Sequence, residues 1–223
     1  MTLLERLEQE DLIFGVDGYN VHEFLKRWER ELSLLERVTE EDPVCSYHNY
    51  SHLVGTGMIM EKLISQTDLD HSAMKLGVIA ALYHDFRYGG FKNDDDNIRL
   101  TCNSFMTTGT GIVGSSIDRT IINSVIIQTR YPYNPATQLS YTGKVLRDAD
   151  RLYGQVFCSP EMINRLYLAR GHIDGIYTLE EFVIRNLEFV KTFESFSQEG
   201  KVLYEQTKER SIDLHLKMLN IYN

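Results

Sequence analysis

Phe24, Trp28, Leu32 and Leu35 recur at spacings of three and four, the pattern of one apolar face of an amphipathic helix, and Leu53, Met60, Leu63 and Ile64 continue it after His52. Met74 to Tyr88 reads as a buried helix carrying His84 and Asp85 near its C-terminal end, stopped by Gly89-Gly90. Asn93-Asp94-Asp95-Asp96 reads as a capped helix start, because side-chain oxygens there accept orphan amide protons and complement the helix dipole. Thr107 to Ser116, rich in Gly, Thr and Ser, reads as an internal loop. Ile117 to Thr129 carries β-branched pairs that suit a strand, yet its length and setting favour helix.

Tyr131-Pro132-Tyr133-Asn134-Pro135 breaks the chain, since two prolines so close cannot both lie inside one helix. Lys144 to Phe157 is the next helix. Ser159-Pro160-Glu161 has the form of an N-cap with proline at the first helical position, and Gly171 closes that element. Thr178-Leu179-Glu180-Glu181 resembles a capping box leading into Phe182, Leu187, Val190 and Phe193, and a last helix runs from about Lys201 toward Leu219. The expectation is an all-α, single-domain helical bundle spanning 1–223, without repeats or a linker.

Composition narrows what such a bundle does. At 223 residues the chain can bury a sizeable core, and its net charge of −9 argues against binding long nucleic acid, which calls for a basic face. Cys45, Cys102 and Cys158 are odd in number and lack CxxC spacing, so neither a disulfide framework nor a thiolate metal site is expected. The start, Met1-Thr2-Leu3-Leu4-Glu5-Arg6, is charged almost at once, and no apolar run approaches the ~18 residues of a membrane span. A cytoplasmic protein without membrane contact is expected.

The chemistry lies in Tyr47-His48-Asn49-Tyr50-Ser51-His52, in His84-Asp85 and in Arg147-Asp148-Ala149-Asp150-Arg151. Mixed imidazole and carboxylate donors suit Zn, Mn, Fe, Co or Ni, whereas an all-oxygen set would favour Mg or Ca. A helix from His48 onward would put His48 and His52 on one face, a turn apart. His84 and Asp85, as helical neighbours, diverge by ~100°, so both meet one ion only across their shared edge, unless Asp85 serves a second ion. Arg87, Lys144, Arg147 and Arg151 are the cations nearest to these stretches in sequence.

Other features have plainer readings. His22, His71, His172 and His215 are isolated and read as surface or satisfied core residues. The aspartate run reads first as a solvated cap, and Gly109, Gly111 and Gly114 lack the lysine of a P-loop. Tyr131 to Pro135 serves equally as a plain turn or as an aromatic wall for a base, and the aromatics from Phe182 to Phe196 read as core.

In order and type, the His, His-Asp and distal Asp elements resemble the HD-domain superfamily of metal-dependent phosphohydrolases, over roughly residues 44–155. The first element is similar to the HNxxH element of cyclic nucleotide phosphodiesterases. The resemblance implies a bundle of the HD-domain type, with His52, His84, Asp85 and Asp150 as metal ligands and Asp148 as an alternative ligand or a partner behind it. It implies His48 as the proton donor to the leaving oxygen, with Asn49 orienting it. A divalent ion (Mn, Zn, Fe, Co or Ni, with Mg at a second position) and a small phosphorylated substrate such as a nucleotide follow. The chain departs from relatives that carry an acidic residue shortly after His-Asp, since Phe86-Arg87-Tyr88 follows here and Asp94 to Asn97 lie further on. It also has Arg130-Tyr131-Pro132-Tyr133 near Thr129, where other relatives have an extra histidine, which favours one ion over two. The activity expected is a metal-dependent phosphohydrolase, tilted toward a phosphodiesterase by His48. The alternatives are a non-catalytic nucleotide-binding or sensing module with the same metal site, and an interaction protein whose histidines are structural.

Overall fold

The computed structural model describes residues 19–39, 47–134, 136–171, 175–176 and 178–222. Met1 to Arg6, Cys45, Pro135 and His172, on which expectations fell, lie outside these. Ten α-helices and no strand occur among the described residues: α1 (Val21–Arg27), α2 (Glu29–Val38), α3 (Tyr50–Ile64), α4 (His71–Tyr83), α5 (Asp94–Thr108), α6 (Ser116–Ile126), α7 (Tyr141–Val156), α8 (Pro160–Arg170), α9 (Leu179–Lys191) and α10 (Gln198–Tyr222). The chain is an all-α, single-domain bundle whose core cluster extends from Val21 to Met218.

Helix α3 is its axis. Nearly every side chain from Tyr50 to Ile64 is buried, and the helix packs on α4 and on α7. Gly55 makes the second approach close, since a Cβ there would lie 2.4 Å from the Tyr153 ring of α7. The N-terminal face of Phe24, Trp28, Leu32 and Leu35 is buried as its spacing requires, although the backbone leaves helical geometry at Trp28 (φ −107°, ψ 15°) and divides the segment into α1 and α2. Trp28 Nε1, the Tyr19 hydroxyl and Arg27 all donate to the carboxylate of Glu61 on α3, which fixes this pair to the axis.

Most expected starts carry the caps that the sequence suggests. Asn93, Ser159 and Thr178 accept backbone N–H groups at the starts of α5, α8 and α9. The differences lie at helix ends. The segment expected to be helical through Tyr88 stops at Tyr83, and α3 begins at Tyr50, leaving His48 outside it. The expected loop from Thr107 narrows to a 3-10 turn at Gly109–Gly111 and a short link, because α5 continues through Thr108 and Ser115 caps α6. Helix α10 starts three residues before Lys201, at Gln198. No helix among the described residues is long and apolar enough to cross a membrane. Cys102 and Cys158 are buried free thiols.

Candidate metal centre

Helices α3, α4 and α7 bring three stretches of sequence to one point. His52 occupies the first turn of α3, where Asn49 Oδ1 accepts its backbone N–H at 3.0 Å. The residue before the helix thus fixes the position of the residue that carries the imidazole. The His52 ring is fully buried, edge-on to Tyr153 and against Tyr47. His84 caps the C-terminus of α4, and its Nδ1–H donates to the Ala81 carbonyl at 2.7 Å, leaving Nε2 to face the cluster. Asp85 lies in the turn that follows. Because the regular helix has ended, His84 and Asp85 aim at the same place, with Nε2 and Oδ2 3.4 Å apart.

Asp150 of α7 closes the group. Its Oδ1 lies 3.3 Å from Nε2 of both His52 and His84, whose Nε2 atoms are 3.2 Å apart, and Asp85 Oδ2 is 4.0 Å from His52 Nε2. Donor atoms of His52, His84, Asp85 and Asp150 all fall within 4.8 Å of one another, so this cluster can hold a metal ion. The spacing fits the purpose: donors about 2.1 Å from an ion lie about 3.0 Å apart at adjacent octahedral positions and about 3.4 Å apart in a tetrahedron. The donor set fits as well. With His84 Nδ1–H committed to Ala81, two imidazole nitrogens meet across 3.2 Å, an arrangement that needs a proton or a cation between them.

Proton affinities reflect that crowding. Burial lowers the pKa of His52, against the hydrogen bond that its ring donates to Asp150. Burial acts in the same sense on His84, but Asp85, Asp150 and the Ala81 carbonyl together raise it to about 9. The two carboxylates separate: burial, with Asp150 adding and His84 opposing, raises Asp85 to about 7, while hydrogen bonds from His52 and His84 outweigh burial and hold Asp150 well below the usual carboxylate range.

His48, in the bend before α3, stacks on Tyr88 with ring centroids 3.7 Å apart and an angle of 17°. Its Nε2 is 3.7 Å from Asp85 Oδ2, and burial followed by the charge of His52 pushes its pKa well down. The expected helical i, i+4 relation with His52 is not how the two meet; the bend brings the rings to 5.4 Å instead. Asn49, expected to orient His48, turns its Oδ1 onto the backbone of His52.

Asp148, expected as an alternative ligand or a partner behind the site, is not among the four donors of the cluster. Helical twist turns it away from Asp150, toward the link between α9 and α10. Its carboxylate accepts the backbone N–H groups of Phe196 and Ser197 and the hydroxyls of Ser195 and Ser197. Gly200 packs so closely that a Cβ there would meet Asp148 Oδ2 at 2.3 Å.

The cluster opens through Asp85 and Asp150 into a cavity of about 610 Å³, lined also by His48 and Tyr88. Asp94 reaches it and accepts the Tyr131 N–H at 2.7 Å, while Asp95 pairs with Arg130 and Asp96 with Arg99. The aspartate run is thus a cap that also tethers the Tyr131 segment, whose Tyr131 and Tyr133 form part of the wall. Of the cations nearest in sequence, Arg151 lines the cavity, held over Phe193 at 4.5 Å and donating to the Glu194 carbonyl. Arg147 is buried over Tyr133 and donates to the Gln128 carbonyl; Arg87 and Lys144 are not among the lining residues.

The far wall escaped the sequence reading. Leu166 and Arg170 of α8, and Phe182, Arg185, Asn186 and Phe189 of α9, complete the cavity from outside the motif-bearing stretch. Phe189 is 39% exposed rather than core. One signal was available: Phe182, Asn186 and Phe189 share one helical face at i, i+4 and i+7, and a polar residue within such a face marks more than a core stripe. Compared with family models, curated proteins and solved structures, the chain matches none.

Proposed function

We propose that this chain is a metal-dependent phosphohydrolase of the HD-domain type, acting on a nucleotide or another small phosphate ester. One observation carries the reading: two imidazole nitrogens and two carboxylate oxygens from three helices converge beside a ligand-sized cavity, with a further histidine at its edge. His52, His84, Asp85 and Asp150 would hold the ion, and a donor set without thiolate suits Mn, Fe, Co, Ni or Zn. A divalent ion held there supplies Lewis acidity to a phosphoryl oxygen and brings water within reach of deprotonation near neutral pH.

The chain's own groups do the rest. Tyr153 and Tyr47 pack the His52 ring from two sides, and Ala81 fixes the tautomer of His84, so the donors need little rearrangement. His48 Nε2, next to Asp85 at the cavity edge, is the group placed to pass a proton to a leaving oxygen, a role in which the negative charge of a bound phosphate would raise the proton affinity that burial lowers. The presence of that donor supports turnover over simple retention of a ligand, and cleavage of a diester over that of a monoester. Arg151, its guanidinium clamped by aromatic rings, presents positive charge to the phosphoryl group.

The test is a screen of protein reconstituted in turn with Mn, Fe, Co, Ni and Zn against cyclic nucleotides, nucleoside phosphates, and aryl phosphate mono- and diesters. Metal-dependent release of product that chelator abolishes is expected. Turnover that persists in chelator, or none with any metal, contradicts the proposal.

A further inference from the structure

The cavity has a charge pattern that the metal motif does not account for. Its lining contains three aspartates, Asp85, Asp94 and Asp150, and three arginines, Arg151, Arg170 and Arg185, in a chain whose net charge is −9. With a divalent ion at the cluster the lining becomes net positive, so it suits an anion. The cations are all arginine. A planar guanidinium fork matches the oxygens of a phosphate and loses little freedom on binding it.

Arg170 and Arg185 lie at different depths. Arg170, the last residue of α8, lines the cavity with Tyr88, Asp85, Asp94 and His48, close enough for its charge to act on all four, which places it at the metal end. Arg185 stands on α9 beside Asn186 on the far wall, exposed. A cavity of about 610 Å³ exceeds what one phosphate group fills and falls in the range of whole small-molecule ligands.

We propose that Arg170 and Arg185 form a two-point anion clamp, Arg170 holding the phosphoryl group at the metal end and Arg185 a second phosphate of the same ligand. The preferred substrate then carries at least two phosphates, and Arg185 is a specificity-determining residue contributed by α9. This rests on the phosphohydrolase reading for the first phosphate, yet it concerns binding and is testable without turnover.

The experiment is calorimetric titration of metal-loaded protein with inorganic phosphate and with methylenediphosphonate, metal content being measured after each run. Arg185→Gln is expected to weaken the diphosphonate about tenfold or more and leave phosphate unchanged, whereas Arg170→Gln weakens both. Arg170→Lys, which keeps charge but loses the fork, is expected to fall between, and thermal melting verifies that each variant folds. Diphosphonate binding no tighter than phosphate, or both anions bound alike by the parent and Arg185→Gln, overturns the clamp. Binding as expected without turnover of any ester would reject the phosphohydrolase reading and leave the clamp standing; turnover with an unaffected Arg185→Gln does the reverse.

Discussion

His48 is half-buried and His215 buried, both against polar neighbours, and they are expected to act in different ways. His48 meets Asp85 and the edge of the His52 ring but is not one of the four donors, so His48→Ala is expected to keep the metal and slow turnover of the screened ester by about a hundredfold or more, the usual worth of a positioned acid. Unchanged kcat across pH would remove it from that role. His215 of α10 is structural. Its Nδ1–H donates to the Ser211 carbonyl at 2.6 Å, so its Nε2 accepts from Asn186 at 3.0 Å, and burial lowers its pKa. The unfolded chain takes up that proton from about pH 6.5 downward while the folded one resists, so acid favours unfolding through this group. His215→Gln is therefore expected to lose less stability than the parent between pH 7 and pH 5, measured by urea melts; equal losses would show that the ring titrates alike in both states. The sequence left His215 as a surface or a satisfied core residue, and the resemblance implied His48 as a donor, but neither pairing was legible, since both depend on elements distant along the chain.

Helix identity was largely written in the sequence, and helix ends were not. Apolar spacing and cap residues located α5, α8 and α9 because capping is a local matter of a few neighbouring groups. The early stop of α4 at Tyr83 was invisible to periodicity, as Phe86 follows Leu82 and Tyr83 at helical spacing, yet that stop lets His84 and Asp85 face one point. Asp148 shows the same limit: the resemblance preferred Asp150 and kept Asp148 as an alternative, and the α9–α10 link, invisible in the sequence, is what occupies the Asp148 carboxylate. Four donors converge on its carboxylate, so Asp148→Ala is expected to destabilise the fold by about 3 kcal/mol while sparing metal binding. Denaturant melts and metal content check the two halves, and loss of metal from a variant that stays folded would return Asp148 to the centre.

At the scale of the molecule, the bundle sets the cluster where its central helix meets α4 and α7, and α8 and α9 add the wall opposite. The all-α bundle and the four donors were legible because apolar spacing and motif order survive in a linear string. The far wall was not, since Arg170, Arg185 and Asn186 acquire meaning only once α8 and α9 fold back over the centre. The whole account depends on a shared ion, and the most direct test is elemental analysis of purified, metal-reconstituted parent, His84→Ala and Asp85→Ala proteins. The parent is expected to retain about one divalent ion per chain and to melt higher with it than after chelation, while both variants stay folded and lose the ion. A parent that binds no ion, or variants that keep it in full, would contradict the account.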